Sequence, residues 1–136
     1  MMNRVENWSE VLADFIANGD RPFCWGEWDC GLFAANCVLA MTGIDIAAEF
    51  RGRYKTARGA YRVMRGDIES VMVNRVAPKH NLAEIAPAMA KRGDLCVLDT
   101  PLGYALGVCV GTKVVCTGPD GLAYLPISSA LRAWSI

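Results

Sequence analysis

Residues 22–33 read Pro22-Phe23-Cys24-Trp25-Gly26-Glu27-Trp28-Asp29-Cys30-Gly31-Leu32-Phe33. Asp29 is a natural helix N-cap, and the apolar residues that begin at Leu32 predict a helix from Cys30 to about Met41, stopped by Thr42-Gly43. That helix is apolar on nearly every face, which predicts a buried central position. Cys30 then falls in the first turn, facing the positive end of the helix dipole and free backbone N–H groups. Both favour a thiolate. Cysteine hydrolases place their nucleophile in this way.

Upstream, Val5, Trp8, Val11, Leu12, Phe15 and Ile16 recur at three- and four-residue steps, predicting a helix over Trp8 to Ala17. Downstream, Asp45, Thr56 and Asp67 are plausible caps for short helices near 46–50, 56–64 and 67–75. The stretch from Pro78 to Arg92 reads as irregular, with a helical turn near Leu82 to Ile85. From Gly93 the pattern becomes β-rich. Strands are predicted at Asp94 to Leu98, Ala105 to Val110, Lys113 to Thr117 and Leu122 to Pro126. A helical turn at Ser128 to Leu131 and a closing strand at Ala133 to Ile136 follow. Helices first and an antiparallel sheet second make the expected class α+β, in one domain over residues 1–136.

Composition narrows the function. The chain has 136 residues, 53% hydrophobic and 21% charged, enough for one core. Lys plus Arg and Asp plus Glu both number 14, so no global field draws it to nucleic acid or an anionic membrane. The apolar run Leu32 to Met41 is too short to span a bilayer. The opening MMNRVENWSE lacks a hydrophobic signal region and predicts no Sec export. Cysteines 24, 30, 37, 96, 109 and 116 show no paired CxxC spacing, so reduced thiols are expected, with no metal and no cofactor.

Two further stretches join the first. Arg92-Gly93-Asp94-Leu95-Cys96-Val97-Leu98 opens one strand and Ala105-Leu106-Gly107-Val108-Cys109-Val110-Gly111 forms the next. With Pro22 to Phe33, these resemble the NlpC/P60 family of papain-like peptidoglycan hydrolases, with its P-Y-x-W-G, D-C-S-G, G-D-L and H-V-G-I-Y-x-G motifs in that order. The resemblance covers about Pro22 to Thr117. It implies a buried helix packed on a C-terminal antiparallel sheet, with Cys30 at the nucleophile position. The departures are as informative. Ala105 stands where the family's general-base histidine is expected, Cys116 falls near the third, orienting position, Phe23 replaces a tyrosine and Gly31 a serine. Alanine accepts no proton, and general-base assistance is commonly worth about 10²–10⁴ in rate.

Several residues carry two readings. His80 is the remaining candidate base, either an exposed loop histidine or a base brought to Cys30 by a loop. Cys30 and Cys37 share a helix face, so Cys30 is either core packing or a residual reactive thiol. Trp25 and Trp28 either line a groove for sugar or peptide or serve as packing. The basic run Arg51, Arg53 and Lys55 with Arg58, Arg62 and Arg65, interleaved with Tyr54 and Tyr61, reads as a solvated face or a docking surface for an acidic partner. Spatial clustering of the cysteines into a metal or iron–sulfur site stays open.

A closer resemblance is to small phage and prophage proteins of unassigned function. Its carriers are Pro22 to Ala34, Thr42 to Asp45, Arg51 to Tyr54 and Ala133-Trp134. It implies a virion protein of the tail tip or baseplate with a degenerate site. Its partners would be other tail proteins, and a remnant groove could hold a peptidoglycan peptide. The competing expectation is an active cysteine peptidase or amidase cutting cell-wall peptides through Cys30.

Overall fold

The computed structural model describes residues 2–136. Helix α1 (Trp8–Ala17) packs on α2 (Cys30–Thr42). Asp29 starts α2 from an extended backbone, its carboxylate accepting the Leu32 N–H, and Gly43 ends it at φ 78°. Leu32, Phe33, Ala34, Ala35, Cys37, Val38 and Met41 are all buried, as a helix apolar on every side requires.

The middle of the chain departs from its predicted elements. Residues 46–50 form turns instead of a helix. The Asp45 carboxylate accepts from the Ala47 N–H and from Arg51, which ties the backbone into a local turn. Helix α3 (Ala57–Met64) is capped by Thr56, and α4 (Ile68–Val71) by Asp67. The helix expected to stop near 75 instead continues through a π segment (Met72–Val76) into α5 (Ala77–His80). Pro78 has no N–H to give to a preceding carbonyl. The wider π turn, in which the Ala77 N–H reaches the Met72 carbonyl, lets the helix pass it. The helical turn predicted at Leu82 to Ile85 is absent. Strand β1 (Glu84–Ile85) takes its place because the last strand offers it a ladder, Glu84 to Trp134 and Ile85 to Ala133.

The sheet adds β2 (Leu95–Thr100), β3 (Gly103–Cys109), β4 (Lys113–Gly118), β5 (Gly121–Pro126) and β6 (Ala130–Trp134), in spatial order β1-β6-β2-β3-β4-β5, all antiparallel. The closing strand thus begins at Ala130, after a 3-10 turn (Ile127–Ser129). Helices followed by a six-stranded antiparallel sheet make the class α+β. On one face of the sheet Leu95, Val97, Leu106, Val108, Val115 and Trp134 join the helical core. On the other, Cys96, Leu98, Cys109, Val114 and Ala133 lie under Ile85, Ala90, Ile127 and Ala130. Both faces are covered, so β2 opens as four consecutive buried residues instead of alternating.

Asp94 locks the sheet to both ends of the described chain. It is fully buried, accepts Arg4 Nη2 at 3.0 Å and the Ile136 N–H at 3.1 Å, and takes the Lys91 N–H at 2.8 Å. A buried carboxylate with three such donors is strongly held; one with fewer is a large cost.

Candidate functional site

The groove over Cys30 is assembled from two motifs that meet at Asp29. This carboxylate is buried and has three donors: the Leu32 N–H at 2.9 Å, the Gly26 N–H at 3.0 Å and the Tyr54 hydroxyl at 2.7 Å. Gly26 lies at φ 85°, and a Cβ placed there would come within 2.1 Å of the Tyr54 carbonyl oxygen, so only glycine fits. Trp25-Gly26, Asp29-Cys30 and Arg51 to Tyr54 therefore form one packed unit.

Cys30, Ala105 and Cys116 line a common open groove of about 630 Å³. Its walls include Phe23, Trp25, Tyr104, Leu125 and Tyr124. A second, smaller space of about 160 Å³ lies on the α3 side, and Trp25, Cys30 and Tyr104 border both. The β3–β4 ladder is registered only at Val108–Val115 and Cys109–Val114. Leu106 lies beyond it, and its backbone, with that of Gly31, neighbours the Cys30 sulfur and favours its charged form.

Those backbone groups do not make a thiolate. Burial pushes the Cys30 thiol up to about 11, the neighbouring Asp29 and Cys116 push the same way, and the two backbone donors offset only part of this. The thiolate expected at the helix start is therefore opposed: Cys30 is half-buried at the groove and lies beside a carboxylate, where the charged form is poorly solvated. Burial also raises Cys116, and it holds Cys37 and Cys96 at about 12.

The other singled-out residues are placed as follows. Trp25 is 39% exposed and forms an edge-to-face pair with Phe23 at 5.0 Å. Trp28 borders neither space beside Cys30; it is buried against Phe33, stacked under Arg21, with its indole N–H on the Gly19 carbonyl. Arg51 is paired with Asp45 and bonded to Asn36, and Tyr54 is buried on Asp29, which with burial raises its phenol. Arg53 is exposed, and with Lys55, Arg58, Arg62 and Arg65 it has no ion pair among the described residues. His80 ends α5 beside Asp45, Glu49 and Lys79 and borders neither space that reaches Cys30. Among the described residues no group of three His, Cys, Asp or Glu could hold a metal ion, and no helix is long and apolar enough to cross a membrane.

Residues 3–136 match a family described as a domain of unknown function (DUF6950). The chain belongs to that family. Among curated proteins none matches it.

Sequence reasoning passed over two parts of this DUF6950 site. Tyr54 was grouped with the basic run, although a tyrosine after Arg-Gly-x that carries no neighbouring acid is a candidate donor for the one aspartate in the Cys30 motif. Thr117, in the groove wall, has a buried hydroxyl with no hydrogen-bond partner among the described residues. No signal in the sequence marks it.

Proposed function

We propose that this protein is a non-catalytic, NlpC/P60-like domain that serves as a structural or assembly component of a phage tail tip or baseplate. The observation that carries the first half is the pairing of Cys30 with Ala105 across one groove, with no acid or base among the groove's lining residues. The groove's lining offers the thiol no histidine, carboxylate or amine, the neighbouring Asp29 carboxylate is committed to three donors, and an acyl transfer needs both a nucleophile and a base. The tail assignment rests on the resemblance carried by Pro22 to Ala34, Thr42 to Asp45, Arg51 to Tyr54 and Ala133-Trp134. In that reading the partners are other tail proteins, and the virion is where the protein ends up.

The test incubates the protein with muropeptides beside a Cys30→Ala variant and an active NlpC/P60 enzyme. Both forms should be inert while the control cuts. Cleavage by the unmodified protein, lost in Cys30→Ala, would establish the competing peptidase or amidase, which the Leu106 and Gly31 backbone groups beside the sulfur favour. Mass spectrometry of purified particles from a strain carrying the gene addresses location. Absence of the protein from intact tails rejects the virion role.

A further inference from the structure

We propose that the groove over Cys30 is a binding site for an uncharged, apolar ligand of small-molecule size. The inference rests on reading the groove as non-hydrolytic, and it replaces a charged cell-wall peptide as the expected occupant.

Three observations converge. The groove's volume of about 630 Å³ lies within the range typical of ligand sites, about 300–1,000 Å³. None of the residues lining it is Asp, Glu, Lys, Arg or His. A carboxylate drawn into it would lose hydration with no counter-charge and would lie near the Asp29 carboxylate beside Cys30, a cost of several kcal/mol per ion in order of magnitude. Large apolar and aromatic side chains gather at its rim: Leu102 is 80% exposed, Tyr124 49%, Tyr104 44% and Trp25 39%. Scattered single exposures are ordinary on a protein surface, whereas a contiguous set around a concavity marks a binding face.

Two kinds of molecule share this chemistry, a neutral aromatic and a neutral single acyl chain. The experiment separates them. The full-length protein is titrated with Nile red, a neutral aromatic probe, and with monodecanoylglycerol, a neutral acyl probe. Trp25 fluorescence and protection of Cys30 from N-ethylmaleimide are the readouts. Saturable one-to-one binding of either probe with Cys30 protected is expected, and whichever binds identifies the ligand shape. An acidic muropeptide should give no protection.

Ala105→Trp, which fills the groove, should abolish binding. Should that variant fail to fold, the exposed-rim variant Leu102→Ser with Tyr124→Ser should weaken binding at least fivefold while leaving the unfolding midpoint unchanged. Failure of both neutral probes to bind, or binding indifferent to the rim variant, overturns the inference. Protection by the muropeptide overturns it as well. Muropeptide cleavage would instead overturn the non-catalytic reading on which it rests, so the two failures are told apart.

Discussion

The reactivity of Cys30 tests the central argument with a number. Alkylation by iodoacetamide proceeds through the thiolate, so its rate follows the ionised fraction. An ordinary thiol at 9.0 is about one-eleventh ionised at pH 8, whereas one at about 11 is about one-thousandth ionised, roughly a ninetyfold deficit. A more basic thiolate is also a better nucleophile. With a Brønsted slope of about 0.4–0.5 over two units, this returns about six- to tenfold. Cys30 should therefore react about tenfold more slowly than a thiol in an unstructured peptide at pH 8. Its rate should still climb with pH at pH 10 without a plateau.

Cys24 is exposed and would dominate the signal, so the measurement belongs in a Cys24→Ser background, where the remaining four cysteines are buried. Peptide mapping of the alkylated product assigns the site. A plateau below pH 8, or a rate at pH 7 above that of the free peptide, would refute the reasoning. Either would mean that some group stabilises the thiolate against burial and the Asp29 charge.

Other consequences are equally open to measurement. Tyr54→Phe removes a donor from the buried Asp29 carboxylate, and a hydrogen bond to a charged group is worth about 1.5–3 kcal/mol. At about 2.1 cal/mol/K per residue this lowers the thermal midpoint by roughly 5–10 °C, and a drop under 2 °C sinks the idea. Arg4→Met strips Asp94 of the closer and more buried of its two cationic partners, leaving the exposed Lys91 ammonium at 3.5 Å and the Lys91 and Ile136 N–H donors, so denaturant unfolding should show a loss of about 3 kcal/mol. Ala105→His should raise Cys30 alkylation at pH 7 at least tenfold, with an inflection near the ordinary histidine value of about 6.5; an unchanged rate places residue 105 away from the thiol. Desolvation, aided by Lys79 and opposed by Glu49 and Asp45, holds His80 below its ordinary 6.5. The unfolded chain then binds the proton more readily, so this contribution to stability is complete above pH 6.5 and is lost as pH falls through the folded value. His80→Asn should flatten the fall in urea midpoint between pH 7 and 5.5, and parallel slopes would refute it.

Much of the fold could be read from local pattern. Helix α1 spans the predicted Trp8–Ala17, and α2 starts at Cys30 behind an aspartate cap, because strong periodicity and a side-chain cap act within a few residues. The misses lie where distant contacts decide. Glu84 and Ile85 form a strand only because β6, some fifty positions later, passes beside them. The helix crosses Pro78 because its carbonyl mismatch is absorbed by a π turn, which no periodicity announces. In the site, Cys30 was marked by its place behind the Asp29 cap, whereas Ala105 and Cys116 were singled out only through the NlpC/P60 resemblance; all three line the groove. The state of the thiol was not legible in the same way. Helix position is a local property, whereas burial depends on what the β3 and β4 strands lay over the helix end.

Magnitudes explain why the helix start loses. A helix dipole acting on an adjacent charge is worth about 0.3–1 kcal/mol, which at about 1.36 kcal/mol per unit is less than one unit of pKa. The net displacement of Cys30, from 9.0 to about 11, runs the other way and is larger. Part of the opposition comes from Asp29, the residue that makes the helix start at Cys30. Held by the Leu32, Gly26 and Tyr54 donors, its carboxylate places a fixed negative charge next to the sulfur. A thiol so placed becomes a nucleophile only if a base or cation faces it from the sheet. With a methyl group at position 105, the side chain that would reverse the balance is missing. On the non-catalytic reading proposed above, a groove lined by no charged side chain both leaves Cys30 without a facing base and suits an apolar guest.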